Sequence, residues 1–273
     1  MDFLIKILSI LSAEMIEPHS YGWFHLLFVA IITGLTVFLC IKFKDSDDKT
    51  FRRIVLICWI VMASFEIYKQ FVYNYNIENG VLSWGYRWES FPYQLCSTPL
   101  YVLPFIAFMK DNKFREYLTA YIATFSFFGG LATFCYPEDV FIETIGINIQ
   151  TMTHHGLQIV LGIFFIVYFR KRFNFKYYLK SLPIFGALVS VALIINEIFV
   201  AIMGSGENFN LFYISRHRNC TLPLLNIIDE ALPYPLFLPL YILGFMLVAL
   251  IIFSVAKGII LLVNKSKAIK HHA

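Results

Sequence analysis

Long apolar runs, separated by short charged connections, recur along the whole of this chain. Each run approaches the roughly 20 residues that an α-helix needs to cross a hydrocarbon core. Seven can be marked: Tyr21–Phe43, Ile54–Tyr73, Phe91–Met109, Tyr117–Cys135, Thr151–Phe169, Leu182–Met203 and Tyr234–Val263. A membrane β-barrel would show short alternating segments instead. The pattern predicts an all-α polytopic membrane protein with seven transmembrane helices. Asp2–Ala13 is too short to span. Its apolar residues at 4, 5, 7, 8, 10 and 11 suit an amphipathic helix lying in the interface. The expected organisation is residues 1–20 as that interfacial segment, 21–263 as one transmembrane domain and 264–273 as a basic tail.

Polar residues interrupt the runs in a few places. The second segment carries Glu66, Lys69 and Gln70 in its last third, on one helix face by their spacing. The third contains Gln94, Cys96, Ser97 and Thr98 among prolines 92, 99 and 104. Those prolines break local hydrogen bonding, so a kinked or unwound start is expected. Gly129-Gly130 marks a close-packing or bending point in the fourth. The fifth opens with Thr-Met-Thr-His-His-Gly-Leu-Gln, which places His154 and His155 in its first turns. The sixth holds Asn196 and Glu197 in its last third, and His25 lies near the start of the first. The polar loop Gly204–Leu232 carries Asn208, Arg216, His217 and Arg218, and its stretch Thr221–Ala231 reads as a short amphipathic helix.

Composition agrees with this pattern: 59% of residues are hydrophobic, 15% are charged and mean hydropathy is +0.68. The placement of charge adds a direction. With seven spans, 17 of the 22 Lys and Arg fall in one set of connections, namely the first, third and fifth loops and the C-terminal end. The positive-inside rule then places the N-terminus outside and the C-terminus in the cytoplasm, as a multi-pass protein of the plasma membrane. No basic patch with interleaved aromatics points to nucleic acid. The start, Met1–Ser12, lacks the basic n-region of a cleavable signal. Five scattered cysteines without a CxxC pair imply neither a disulfide framework nor a thiolate zinc site. A bridge between Cys135 and Cys220, both on the outer side, stays open.

In this orientation His25, Glu66, Lys69, Cys96, His154, His155, Asn196 and Glu197 share one depth, the outer third. Ionisable groups within spans are costly unless they face one another or water. A polar cavity opening outward is therefore expected. Bland readings stand beside it: Glu66 and Lys69 can neutralise each other, Asn196 and Glu197 can bond across helices, and His25 is tolerated at an interface. A cysteine in a span is usually a small hydrophobe. Cys96 instead sits beside polar groups and proline breaks, at the depth of two histidines. A thiol needs a base to become a nucleophile near neutral pH, and histidine is the usual one. The histidine pair lacks the i, i+4 spacing of two metal ligands, so neither a metal nor a cofactor is implied.

Residues 89–104, Glu-Ser-Phe-Pro-Tyr-Gln-Leu-Cys-Ser-Thr-Pro-Leu-Tyr-Val-Leu-Pro, resemble the cysteine signature of the YwaF-type bacterial integral membrane proteins. Thr153-His-His-Gly-Leu157, the Tyr21-Gly-Trp-Phe-His-Leu26 start, and Gly206-Glu-Asn-Phe-Asn-Leu-Phe212 with Pro233-Tyr-Pro235 resemble further stretches of that family, in the same order. The family is similar to a vertebrate multispanning acyltransferase that remodels ether phospholipids. The resemblance implies Cys96 as nucleophile and His155 as base, with His154 the second choice. The expected function is a membrane lipid acyltransferase, or a lipase-like hydrolase, acting through an acyl-thioester on phospholipid or lysophospholipid. Gln94, Ser97, Asn196 and Asn208 are candidate oxyanion donors, and Arg216 and Arg218 candidate phosphate ligands. The alternative from another class is a carrier or solute-binding protein with Glu66, Lys69 and Glu197 as its polar site.

Overall fold

The computed structural model describes residues 2–78 and 80–272, and it is helical apart from one small hairpin. Met1 of the interfacial segment, Asn79 of the second connection and Ala273 of the tail lie outside the described residues. Helix α1 (Asp2–Leu11) precedes α2 (Trp23–Phe43) and α3 (Asp48–Asn74). An antiparallel hairpin follows, pairing β1 (Tyr75–Glu78) with β2 (Val81–Trp84). Then come α4 (Pro99–Phe108), α5 (Lys113–Cys135), α6 (Ile145–Tyr168), α7 (Phe175–Met203), α8 (Leu225–Ala231) and α9 (Tyr234–His272). Six of these, α2, α3, α5, α6, α7 and α9, are long and apolar enough to cross a membrane.

The expected third span is the exception: six helices have the length and apolarity to span, and residues 91–109 do not form a seventh of that kind. From Trp88 the chain makes two single 3-10 turns, Trp88–Ser90 and Leu95–Ser97, before α4 begins. Ten residues of helix reach about 15 Å, half of the roughly 30 Å hydrocarbon core. Proline is the physical cause, because it has no N–H to donate. Pro104 leaves the Leu100 carbonyl without its helical donor, and the Trp59 indole on α3 supplies one at 2.9 Å. Pro99 likewise gives the Leu95 carbonyl no α-helical donor; that carbonyl takes the Thr98 N–H at 3.3 Å and the Thr98 hydroxyl at 2.6 Å instead.

Helices α5 and α6 form the centre. Their spans are 61% and 67% buried, against 22–28% for the other four. Glycine makes the close approach possible. Gly146, Gly156 and Gly162 of α6 face Tyr68 of α3, Ile32 of α2 and Phe127 of α5. At Gly162 a Cβ would lie 2.5 Å from that of Phe127. The outer helices turn residues such as Ile57, Ile194 and Leu247 outward, as a lipid-facing surface requires.

The basic connections meet at one end of the bundle. Asp45 pairs with Arg170 at 2.5 Å, Asp111 with Arg172 at 2.9 Å and Glu116 with Lys180 at 2.5 Å. The Arg170 hydrogen bond holds the Asp45 carboxyl below its usual range. Helices α3, α5 and α7 start at this end, capped by Asp47, Asn112 and Asn174. Arg115 is the buried member, at 1% exposure. It bonds Asp48, pairs with Asp111 at 3.2 Å and donates to the Met109 carbonyl at 3.0 Å. Asp48→Asn leaves this guanidinium buried with one acid fewer. Asp48 is partly exposed, and Asp111 and the Met109 carbonyl remain, so we expect a loss of about 1 kcal/mol. Thermal unfolding in detergent micelles checks this; an unchanged midpoint would show that Arg115 does not depend on Asp48.

Candidate functional site

The opposite end holds the polar residues that the sequence singled out, but in separate groups. Glu66 pairs with Lys69 at 2.9 Å and accepts from Gln70 at 2.8 Å. Gln70 also donates to the Ser90 carbonyl at 2.7 Å, which ties α3 to the start of the broken segment. His25 is fully buried; its Nδ1 accepts the Tyr21 N–H at 3.1 Å and its ring packs on Phe134 and Phe141. Glu197 pairs with Arg216 at 2.7 Å and His217 at 3.3 Å in exposed positions. One polar layer around a common cavity is therefore a reading to correct. His25, Glu66, Lys69 and Glu197 do not line the cavity that contains Cys96.

Gln94 and Asn196 are committed elsewhere. The loop after α7 turns through Phe212 and Tyr213, both left-handed with φ of 55° and 58°. Such a conformation costs a residue with a Cβ roughly 1–2 kcal/mol, so the loop must be held. Asn196 exchanges two bonds with Leu211, at 3.0 and 2.9 Å. Gln94 donates to the Asn210 carbonyl at 2.9 Å and accepts from the Phe212 N–H at 2.7 Å. The Tyr241 hydroxyl donates to the Phe212 carbonyl at 2.7 Å. Both amides are loop clamps, and Gln94 also lines the cavity with Cys96. Asn208 lines a different cavity, Arg216 sits in its surface pair, and Ser97 is buried beside Cys96.

The loop these clamps hold closes a cavity of about 760 Å³, within the range of small-molecule sites. Cys96 and His155 both line it. Phe128, Leu222, Leu225 and Phe245 make much of its wall, with Thr133 and Tyr241 among the polar groups. A second cavity of about 540 Å³ shares Gln94, Tyr213 and Thr221 with the first. Its other walls are polar: Glu89, Asn208, His217 and Arg218. A mainly apolar chamber thus abuts a polar one at Gln94.

The two histidines have different tasks. His155 Nδ1 lies 2.9 Å from the Thr151 carbonyl. A carbonyl only accepts, so Nδ1 carries the proton and Nε2 keeps its lone pair. His154 Nε2 donates to the Cys96 carbonyl at 2.9 Å, and Gln158 Nε2 donates to the same oxygen at 3.0 Å. Of the pair, His155 lines the cavity with Cys96. No hydrogen bond joins the thiol to either ring among the described residues. Gln158 escaped the sequence reading. Its signal was position: one helical turn after His154, on the same face.

Cys135 and Cys220 are both free thiols, Cys135 exposed and Cys220 buried, so the bridge left open by the sequence is not formed. Among the described residues, no three His, Cys, Asp or Glu come together as a metal site. A model described as the TMEM164 family matches residues 18–257. No curated protein and no solved structure matches the chain.

Gly129 and Gly130 set how closely α5 lies on this site. A Cβ at 129 would stand 3.7 Å from the Cys96 Cα and 3.2 Å from Gln158 Oε1. At 130 it would meet the His155 carbonyl oxygen at 2.5 Å. Backbone cannot swing aside as a side chain does, so Gly130→Ala must push α5 from α6. Overpacking of this kind costs typically 1–3 kcal/mol. We expect about 2 kcal/mol, read as a lowered unfolding midpoint in micelles; full stability would contradict the close approach.

Proposed function

The chain belongs to the TMEM164 family, and from that premise and the geometry of the cavity we propose that it is a membrane-embedded lipid acyltransferase with a cysteine nucleophile. Water in place of the lipid acceptor would make the same chemistry a hydrolysis. One observation carries the reading: a thiol and an imidazole with a free Nε2 line the same largely apolar cavity. The resemblance of residues 89–104 and 153–157 to the YwaF-type proteins supports the same two residues.

In this reading the acyl chain of a phospholipid occupies the larger cavity and its head lies in the polar one. Arg218, which lines the polar cavity and whose side chain bonds only the carbonyls of Ser205 and Gly206 among the described residues, is the phosphate ligand. His155 Nε2 takes the Cys96 proton as the ring and thiol close on each other. The thiolate attacks the ester carbonyl carbon, a C–S bond forms, and the C–O bond breaks. The departing lysolipid oxygen receives the proton from His155. His155 then takes a proton from the acceptor hydroxyl, whose oxygen attacks the thioester; the C–S bond breaks and the proton returns to sulfur. The Cys96 N–H donates to no backbone carbonyl among the described residues. At the start of a 3-10 turn such a group is free, and it suits the developing oxyanion. Residues 91–109 still carry the chain to the basic end, where Asp111 pairs with Arg172, so the charge distribution keeps its sense and supports a cavity at the outer leaflet.

The carrier reading gains nothing from the geometry. Glu66 with Lys69, and Glu197 with Arg216, form two separate ion pairs, and neither lines the large cavity.

Phospholipid with a labelled acyl chain, confined to the outer leaflet of vesicles holding the protein, tests the proposal. Label on Cys96 that neutral hydroxylamine releases is expected, and Cys96→Ala should abolish both label and acyl transfer. Unchanged lipid turnover in Cys96→Ala would end the thioester mechanism. Label obtained only from the inner leaflet would reverse the orientation.

A further inference from the structure

The 3-10 turn that carries Cys96 cannot continue. Its bonds run from the Ser97 N–H to the Gln94 carbonyl at 2.8 Å and from the Thr98 N–H to the Leu95 carbonyl at 3.3 Å. The next in the series would bring an N–H from residue 99 to the Cys96 carbonyl. Residue 99 is proline, so that donor does not exist. A buried carbonyl without a partner costs about 1–3 kcal/mol. His154 and Gln158, one turn apart on α6, reach it together at 2.9 and 3.0 Å. Both side chains are buried, at 3% and 1% exposure. Because His154 Nε2 must be the donor, its Nδ1 is the unprotonated nitrogen, and it has no partner. Gln158 Oε1 is likewise buried and unpartnered. Neither side chain has another hydrogen bond to make among the described residues. Each is spent wholly on one peptide group.

We propose that His154 and Gln158 are positioning residues that fix the Cys96 peptide, and so aim its thiol into the cavity that His155 lines. The assignment rests on Cys96 being the nucleophile proposed above. It separates the adjacent histidines by task. His155 exchanges protons with the thiol, and His154 acts only through the carbonyl it holds. Gly129 belongs to the same device, because a Cβ there would stand 3.2 Å from Gln158 Oε1, which would have to give way.

The test reads the thiol rather than the lipid reaction, so its outcome is independent of whether acyl transfer is the activity. The rate of Cys96 alkylation by iodoacetamide is measured against pH by peptide mass spectrometry, in micelles. Four variants of the whole chain are compared with the parent. His154→Gln keeps a donor at the same reach; His154→Phe and Gln158→Met remove one donor each; His155→Gln removes the proposed base. Losing one hydrogen bond of this kind is worth about a tenfold rate change. His154→Phe and Gln158→Met should each slow labelling about tenfold at an unchanged pH midpoint. His154→Gln should keep most of the parent rate, and only His155→Gln should move the midpoint. Where His154→Phe does not fold, Gln158→Met and His154→Gln carry the comparison. If substitution of His154 moves the midpoint, or if labelling is untouched by loss of either donor, the positioning role is wrong. Normal alkylation geometry with no acyl label on Cys96 would instead sink the acyltransferase reading and leave this one standing.

Discussion

Pro99 has no N–H to offer the Cys96 carbonyl, and at membrane depth water is not at hand, so the donors have to come from another helix. That requirement shapes much of this end of the molecule. It fixes α6 against the broken segment through His154 and Gln158. It requires small residues on α5, where Gly129 and Gly130 let the helix lie close. It leaves the neighbouring His155 free for the cavity, because adjacent positions on a helix point about 100° apart.

The centre of the bundle follows from the same economy of polar groups. A helix surrounded by protein can carry histidines and glutamines that a lipid-facing helix cannot. Helix α6 has the lowest mean hydropathy of the six spans, at 1.3, and the most buried one, at 67%. Helices α2 and α9, at 2.5 and 2.7, are 28% buried. Helix α3 departs from this relation, with hydropathy 1.6 and 22% burial. Its charges are settled locally instead: Glu66 by Lys69, and Asp48 by Arg52 and Arg115.

Much of the fold was legible because hydrophobic length and charge placement are local signals. The six spanning helices overlap their expected segments, but α3, α6 and α7 begin six or seven residues earlier, at Asp48, Ile145 and Phe175, and α9 runs on to His272. The unwound start of the third segment followed from its prolines. Its failure to become a spanning helix did not, since an apolar run of suitable length looks the same whether or not α4 fills it. The polar layer was over-read. Shared depth says nothing about direction around a helix axis, and Glu66, His25 and Glu197 each point to a partner of their own. Gln94 and Asn196 turn out to have a role that the sequence did not show. An amide near a thiol reads as an oxyanion donor, and the loop it clamps shows only in the fold. That Cys96 and His155 line one cavity was expected; that His154 would hold the Cys96 carbonyl was not.

The claim at the centre is that positions 96 and 155 face each other across one cavity. His155→Cys, in a chain whose Cys40, Cys58, Cys135 and Cys220 are replaced by alanine, leaves two thiols to test it. Mild oxidation and short bifunctional thiol reagents are applied in micelles, and the linked peptides are read by mass spectrometry. An intramolecular link between positions 96 and 155 is the expected result. Two thiols that each react with a monofunctional reagent, yet never link to one another, would contradict it.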